Sequence, residues 1–150
     1  MMTVSEELIK MVKHFEGCRL ASYQDQGGVW TIGYGHTAGV KEGDTCTQEQ
    51  AEKWLREDLD LAAKEMLMFV KTDLSQGQFD ALTDFAFNLG AASLQRSTLL
   101  FRVNAGNFGG AASEFPRWNK VRIDGVLTES PGLTRRRLAE MKMFKGEPWL

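Results

Sequence analysis

Two acids and a hydroxyl stand close together early in the chain. Glu16 and Asp25 are nine residues apart, and Thr31 follows six residues later. They sit in the stretch EGCRLASYQDQGGVWTIGYGHT, residues 16–37, where Gly-rich, β-branched and aromatic residues follow the first acid. That texture predicts a turn and hairpin folding back over a helix end, which would bring both carboxyls to one wall of a cleft. Paired acids across a bond are the equipment of glycoside cleavage, one protonating the leaving oxygen and the other activating water or offsetting charge. Taken singly, each has a plainer reading. Glu16 would be a solvated residue near a helix end, Asp25 a turn aspartate beside Gly27-Gly28, and Thr31 a strand threonine.

The elements that must position these groups can be read from capping signals and periodicity. Thr3-Val4-Ser5-Glu6 reads as a capping box, and Leu8, Ile9, Val12 and Phe15 recur with helical period, so a first helix should deliver Glu16 at its C-terminal end with Gly17 as cap. A helix C-terminus carries partial negative charge, which favours a protonated carboxyl there, the form a general acid needs. Leu20–Tyr23 and Trp30–Tyr34 are short strand candidates joined through Gly27-Gly28. Thr47-Gln48-Glu49-Gln50 is a second capping box, and Trp54, Leu55, Leu59, Ala62, Met66, Phe69 and Val70 mark a long helix behind it. Further helices are expected over Gln76–Leu89, closed by Gly90, over Leu94–Asn104, over Phe108–Phe115, stopped by Pro116, and over Gly132–Phe144. In Gln76–Leu89 the apolar Phe79, Leu82, Phe85, Ala86 and Leu89 fall on one face. Asp124-Gly125 suggests a turn in an exposed connection from Lys120 to Ser130.

Glu16-Gly17, Tyr23-x-Asp25 and Gly28-x-x-Thr31-Ile32-Gly33-Tyr34-Gly35-His36-Thr37 together resemble the signature of the phage-type lysozymes, or endolysins. The resemblance continues through Phe87-Asn88-Leu89-Gly90, Ser97-Thr98-Leu99-Leu100, Asn104-Ala105-Gly106, Arg117-Trp118 and Pro131-Gly132-Leu133-x-Arg135-Arg136-Arg137, nearly the whole chain. It implies an α+β, mainly α fold: one lysozyme-like catalytic domain over 1–150. A small β-hairpin lobe, about 15–47, would be joined by a long helix to a larger helical lobe of about 70–150 plus the N-terminal helix. It implies a muramidase that cleaves the β-1,4 bond between N-acetylmuramic acid and N-acetylglucosamine in peptidoglycan, without metal or cofactor. Glu16 would be the acid, Asp25 the base or electrostatic partner, and Thr31 the residue placing water, a set that implies inversion. Thr37, Phe87 and Ser97 match glycan-contacting positions, though Phe87 could equally be a core residue. An arginine among Arg135, Arg136 and Arg137 is expected near Glu16. Two rival readings are a lytic transglycosylase, which Asp25 and Thr31 argue against, and a glycan-binding protein that has lost turnover.

Composition narrows the partners. A net charge of −2 gives no basic face for a polyanion, so glycan strands and not nucleic acid are expected, with the chain acting as a monomer. The opening Met-Met-Thr-Val-Ser-Glu-Glu lacks a basic region followed by an apolar run, and no apolar stretch reaches membrane-spanning length. A protein made in the host cytoplasm without a signal peptide, reaching the wall by release, is therefore expected. Cys18 and Cys46 form no metal-ligand spacing with His14 and His36, and either free thiols or a pair is compatible with them. His36 alone reads as a brace for the hairpin against a carboxylate or backbone group. Gly33-Tyr34-Gly35 lacks the spacing and strand-to-helix context of a phosphate loop.

Overall fold

The computed structural model describes residues 2–150. Its first helix, α1 (Glu6–Glu16), is capped by Ser5 and not by Thr3 as the capping-box pattern suggests. Ser5 Oγ accepts from Leu8 N at 3.1 Å while donating to Asp80, so a tertiary contact selects the start of the helix. Gly17, at φ 65°, closes the other end and leaves Glu16 as the last helical residue.

The chain then turns into β1 (Arg19–Gln24) and β2 (Trp30–Gly33), an antiparallel pair in which Tyr23 faces Thr31 and Gln24 faces Trp30. Ala21 also bridges to Thr45, with Cys46 N donating to Leu20 O at 2.9 Å, so the segment before the next helix lies along the free edge of β1. That helix, α2 (Gln48–Leu67), begins in a reciprocal capping box formed by Thr47 and Gln50. Trp54 packs flat on His36, 4.5 Å between ring centroids, and Asp58 sits 2.8 Å from His36 Nδ1. These contacts anchor the hairpin's exit to the helix.

The helix α3 (Gln76–Leu89) departs from its expected one-sided pattern, because every residue from Phe79 to Ala86 is buried. The cause is its neighbours: α2 and α7 (Pro131–Phe144) both pack against it, so there is no solvent face to keep polar. Asp80 and Asp84 are consequently buried acids that must find partners.

The single helix expected over Leu94–Asn104 is two: α4 (Ala91–Gln95) and α5 (Thr98–Asn104). Ser97 breaks it, since its hydroxyl caps α5 by accepting from Leu100 N at 3.0 Å and its extended backbone cannot be helical. α6 (Phe108–Ala112) ends before Pro116, which lies inside a 3₁₀ turn (Phe115–Arg117). The connection expected to be an exposed turn is a hairpin, β3 (Lys120–Ile123) and β4 (Val126–Glu129), turning at Asp124-Gly125. Leu8, Met11, Leu55, Leu59, Phe79, Leu82, Phe85, Leu94, Leu99, Val103, Phe115 and Phe144 belong to one buried cluster that joins the helices. Cys18 and Cys46 are both free thiols. Among the described residues no helix is long and apolar enough to cross a membrane.

Candidate active site

Glu16 is held from three directions. One turn earlier on α1, Lys13 pairs with Glu52 of α2 at 2.6 Å and ties the end of the helix that carries Glu16 to α2. Gly35 presses on its carboxyl: a Cβ there would lie 2.9 Å from Glu16 Oε2, and the backbone φ of +83° also favours glycine. Opposite, Arg136 of α7 offers Nη1 to Glu16 Oε1 at 3.3 Å, which settles which of the three arginines approaches it. The Glu16 side chain retains 20% exposure, enough to meet a ligand.

Asp25 lies in the turn between β1 and β2. Its Oδ1 accepts from Gly27 N and Val29 N, both at 2.9 Å, which fixes the carboxylate and leaves Oδ2 without a hydrogen-bond partner among the described residues. Thr31 Oγ1 donates to Val29 O at 2.9 Å. With its proton committed there, the hydroxyl can meet a further group only as an acceptor, which suits a water molecule presenting a hydrogen.

Glu16, Tyr23, Asp25, Thr31, Gly35, Thr37, Phe87 and Asn88 line one cavity of about 280 Å³. Glu16, Tyr23 and Asp25 also border a second cavity, about 720 Å³, that runs past Arg19, Val121 and Arg135. Gly35, Thr37 and Phe87 border a third, about 300 Å³, that runs past Asp58, Leu61 and Glu65. The three form a groove with the acids near its middle, cationic towards one end and anionic with apolar walls towards the other. Of the residues expected to carry the site, the structure therefore brings Glu16, Asp25, Thr31, Thr37 and Phe87 together. It does not bring Ser97 to the groove: that residue is 7% exposed, and its hydroxyl donates to Leu94 O as well as capping α5.

Behind Glu16 the acids of α3 find their partners. Arg136 donates Nε to Asp84 Oδ2 at 2.9 Å and Nη2 to Asp84 Oδ1 at 2.7 Å, a bidentate and fully buried pair. Although burial opposes ionisation, Arg136 and a hydrogen bond with Glu140 hold the Asp84 carboxyl at about 2. Burial pushes the Glu140 carboxyl well above the usual range, against the pull of Arg137. Arg137 reaches Glu140 Oε2 at 2.8 Å and Asn88 Oδ1 at 2.7 Å. Its Nε lies 2.6 Å from Glu140 Oε1 without an aligned hydrogen bond.

The phage lysozyme family profile matches residues 13–140, a span that holds the whole groove. The chain belongs to the phage lysozyme family. It is 42% identical to the endolysin of Acyrthosiphon pisum secondary endosymbiont phage 1 over 96% of this chain and 99% of that protein. The solved endolysin from Escherichia coli O157:H7 phage FAHEc1 shares its fold, with a TM-score of 0.88, 37% identity and coverage of 95% of this chain and 93% of the other. The muramidase domain of SpmX from Asticaccaulis excentricus matches with a TM-score of 0.89 and 37% identity, over 96% and 98% of the two chains. The mainly helical lysozyme fold implied by the motifs is thus the fold observed.

In this phage lysozyme, sequence reasoning passed over Gly35, Tyr23 and Asn88 as lining residues and the Asp84–Glu140 pair behind them. A signal for the pair was present. Asp84 recurs four residues after Asp80 on the helix of residues 76–89, and Arg137 and Glu140 stand three apart on the last helix.

Proposed function

We propose that this phage lysozyme hydrolyses the β-1,4 bond between N-acetylmuramic acid and N-acetylglucosamine of peptidoglycan with inversion. Glu16 protonates the leaving oxygen, Asp25 acts as base towards water, and Thr31 accepts a hydrogen bond from that water. The observation that carries this is the single cavity lined by all three groups, continued on two sides by cavities that share its lining residues. A strand can lie through such a groove, whereas a closed pocket would take only a chain end. Inverting sites leave about 6.5–9.5 Å between the carboxyls so that water fits between them. Asp25, fixed through one oxygen and free at the other, suits a base better than a nucleophile that must advance on the sugar.

Thr37 and Phe87 contact the glycan from opposite walls. Residues 1–150 work as one catalytic unit, the hairpin lobe of about 15–47 closing on the helical lobe of about 70–150 and α1. The partner is the glycan strand and not nucleic acid, which accords with the net charge of −2, and the enzyme acts as a monomer on the bacterial cell wall.

Turbidity of chloroform-treated Gram-negative cells, run beside pelleting on purified sacculi, tests the assignment. Glu16→Gln should abolish clearing while still pelleting with the wall, and normal lysis by that variant would refute the role of Glu16. Mass spectrometry of the released muropeptides should show reducing ends. Anhydro ends would identify a transglycosylase.

A further inference from the structure

Arg136 has three donor positions turned towards carboxylates, and they are shared unequally. Nε and Nη2 go to Asp84 at 2.9 and 2.7 Å, and only Nη1, at 3.3 Å, is left for Glu16. A guanidinium is a rigid planar fork, so the direction of its third nitrogen is set once the other two are engaged. Asp84 is itself anchored: it is fully buried on α3 and bonded by Glu140, which Arg137 ties to Asn88 at the lip of the groove. The guanidinium carbon also lies 5.7 Å from the centre of the Phe15 ring and 6.0 Å from that of Phe87, within cation–π reach of both.

We propose that Asp84 is a positioning residue for the hydrolysis: by gripping Arg136 through Nε and Nη2 it sets the direction of the guanidinium so that Nη1 alone reaches Glu16, and by sharing the arginine's charge it preserves Glu16 as a proton donor. The inference rests on Glu16 being the acid. A general acid beside an arginine needs the cation close enough to order the side chain but not so engaged that the carboxyl stays ionised, because an opposite charge within about 4–6 Å favours the ionised form. The charged and titratable groups around this contact are His14 of α1, Arg19, Tyr23 and Asp25 of the hairpin, Asp84 of α3, and Arg135, Arg136, Arg137 and Glu140 of α7. Among the described residues, Asp84 alone binds Arg136 in a bidentate way and so fixes which edge of the guanidinium faces Glu16.

Asp84→Asn keeps one acceptor oxygen but replaces the other with an NH₂ that cannot receive an N–H, so Arg136 loses one anchor and its buried counter-charge. The freed edge turns to Glu16. The alkaline limb of the pH–rate profile, where the acid loses its proton, should then move down by about one pH unit, cutting the rate at the wild-type midpoint about five-fold. The acid limb, and KM for solubilised glycan strands, should stay where they are. An alkaline limb unmoved in a folded Asp84→Asn protein overturns the proposal.

Should that variant fail to fold, Arg136→Gln and the double variant Asp84→Asn/Arg136→Gln carry the test, because removing both members of a buried pair is tolerated better than removing one. With the arginine gone, Asp84 has nothing to withhold. The two proteins should share one alkaline limb, lying above that of the wild type, and a further shift on adding Asp84→Asn would show that Asp84 acts by another route. Lysis by Glu16→Gln defeats the proton-donor assignment itself. An inactive Glu16→Gln with an unmoved Asp84→Asn limb defeats only the positioning.

Discussion

At the scale of single residues, Gly35 and Gly39 separate what backbone strain does from what a displaced carboxyl does. Both have positive φ, +83° and +71°, so alanine at either costs on the order of 1–3 kcal/mol. Only at Gly35 would the new methyl meet Glu16, at 2.9 Å, while at Gly39 nothing lies within 4 Å. Gly35→Ala should therefore lose most of its lytic rate and Gly39→Ala should keep it, at comparable shifts in denaturation midpoint. Equal activity of the two would show that the Glu16 position is not set by Gly35. The thiols allow another check. Cys18 is exposed, while burial and the nearby Cys18 push the Cys46 thiol up. A thiol-titrating reagent near neutral pH should label Cys18 first, with Cys46 following slowly because it offers less thiolate.

At the scale of elements, capping decided more than periodicity. Leu94, Leu99, Leu100 and Val103 read as one continuous apolar stripe and are all buried, yet the helix breaks at Ser97 because a hydroxyl there satisfies the Leu100 N–H that a new helix leaves free. Ser97→Ala should cost about 1 kcal/mol in equilibrium unfolding and leave the glycan KM unchanged. A raised KM without loss of stability would return Ser97 to the list of glycan contacts. The start of α1 follows the same logic, since Ser5 serves Leu8 N and Asp80 together, whereas Thr3 meets Gln76 of α3 through its carbonyl oxygen. The β3–β4 hairpin escaped notice for a different reason. Lys120-Val121-Arg122-Ile123 does alternate before Asp124-Gly125, but Val126-Leu127-Thr128-Glu129 does not continue the alternation. Each strand is only four residues long and almost wholly exposed, so the run is too short to separate a hairpin from an exposed turn.

At the scale of the molecule, the acids packed between α3 and α7 make stability depend on pH from both sides. Asp84, held at about 2, contributes stability that is present above its unfolded value of about 4 and lost as pH falls through 2. Glu140 runs the other way. Its raised carboxyl contributes below the unfolded value, and that contribution is lost as pH climbs through the folded one. The thermal midpoint should therefore fall as pH climbs above the unfolded glutamate value, and Glu140→Gln, which has no proton to lose, should flatten that fall. Parallel slopes for the two proteins would contradict the direction given for Glu140. By itself the sequence determined the family motif, the helix that ends at Glu16, the hairpin that carries Asp25 and Thr31, and most helix positions. Those features are local, written in caps, glycines and short-range periodicity. Only the tertiary structure decided which arginine faces Glu16, that Asp84 holds it, that Gly35 abuts the carboxyl, and that Ser97 turns away from the groove. Each of these depends on where helices far apart in the chain come to rest against one another, and a buried charge acquires its partner only when that packing closes.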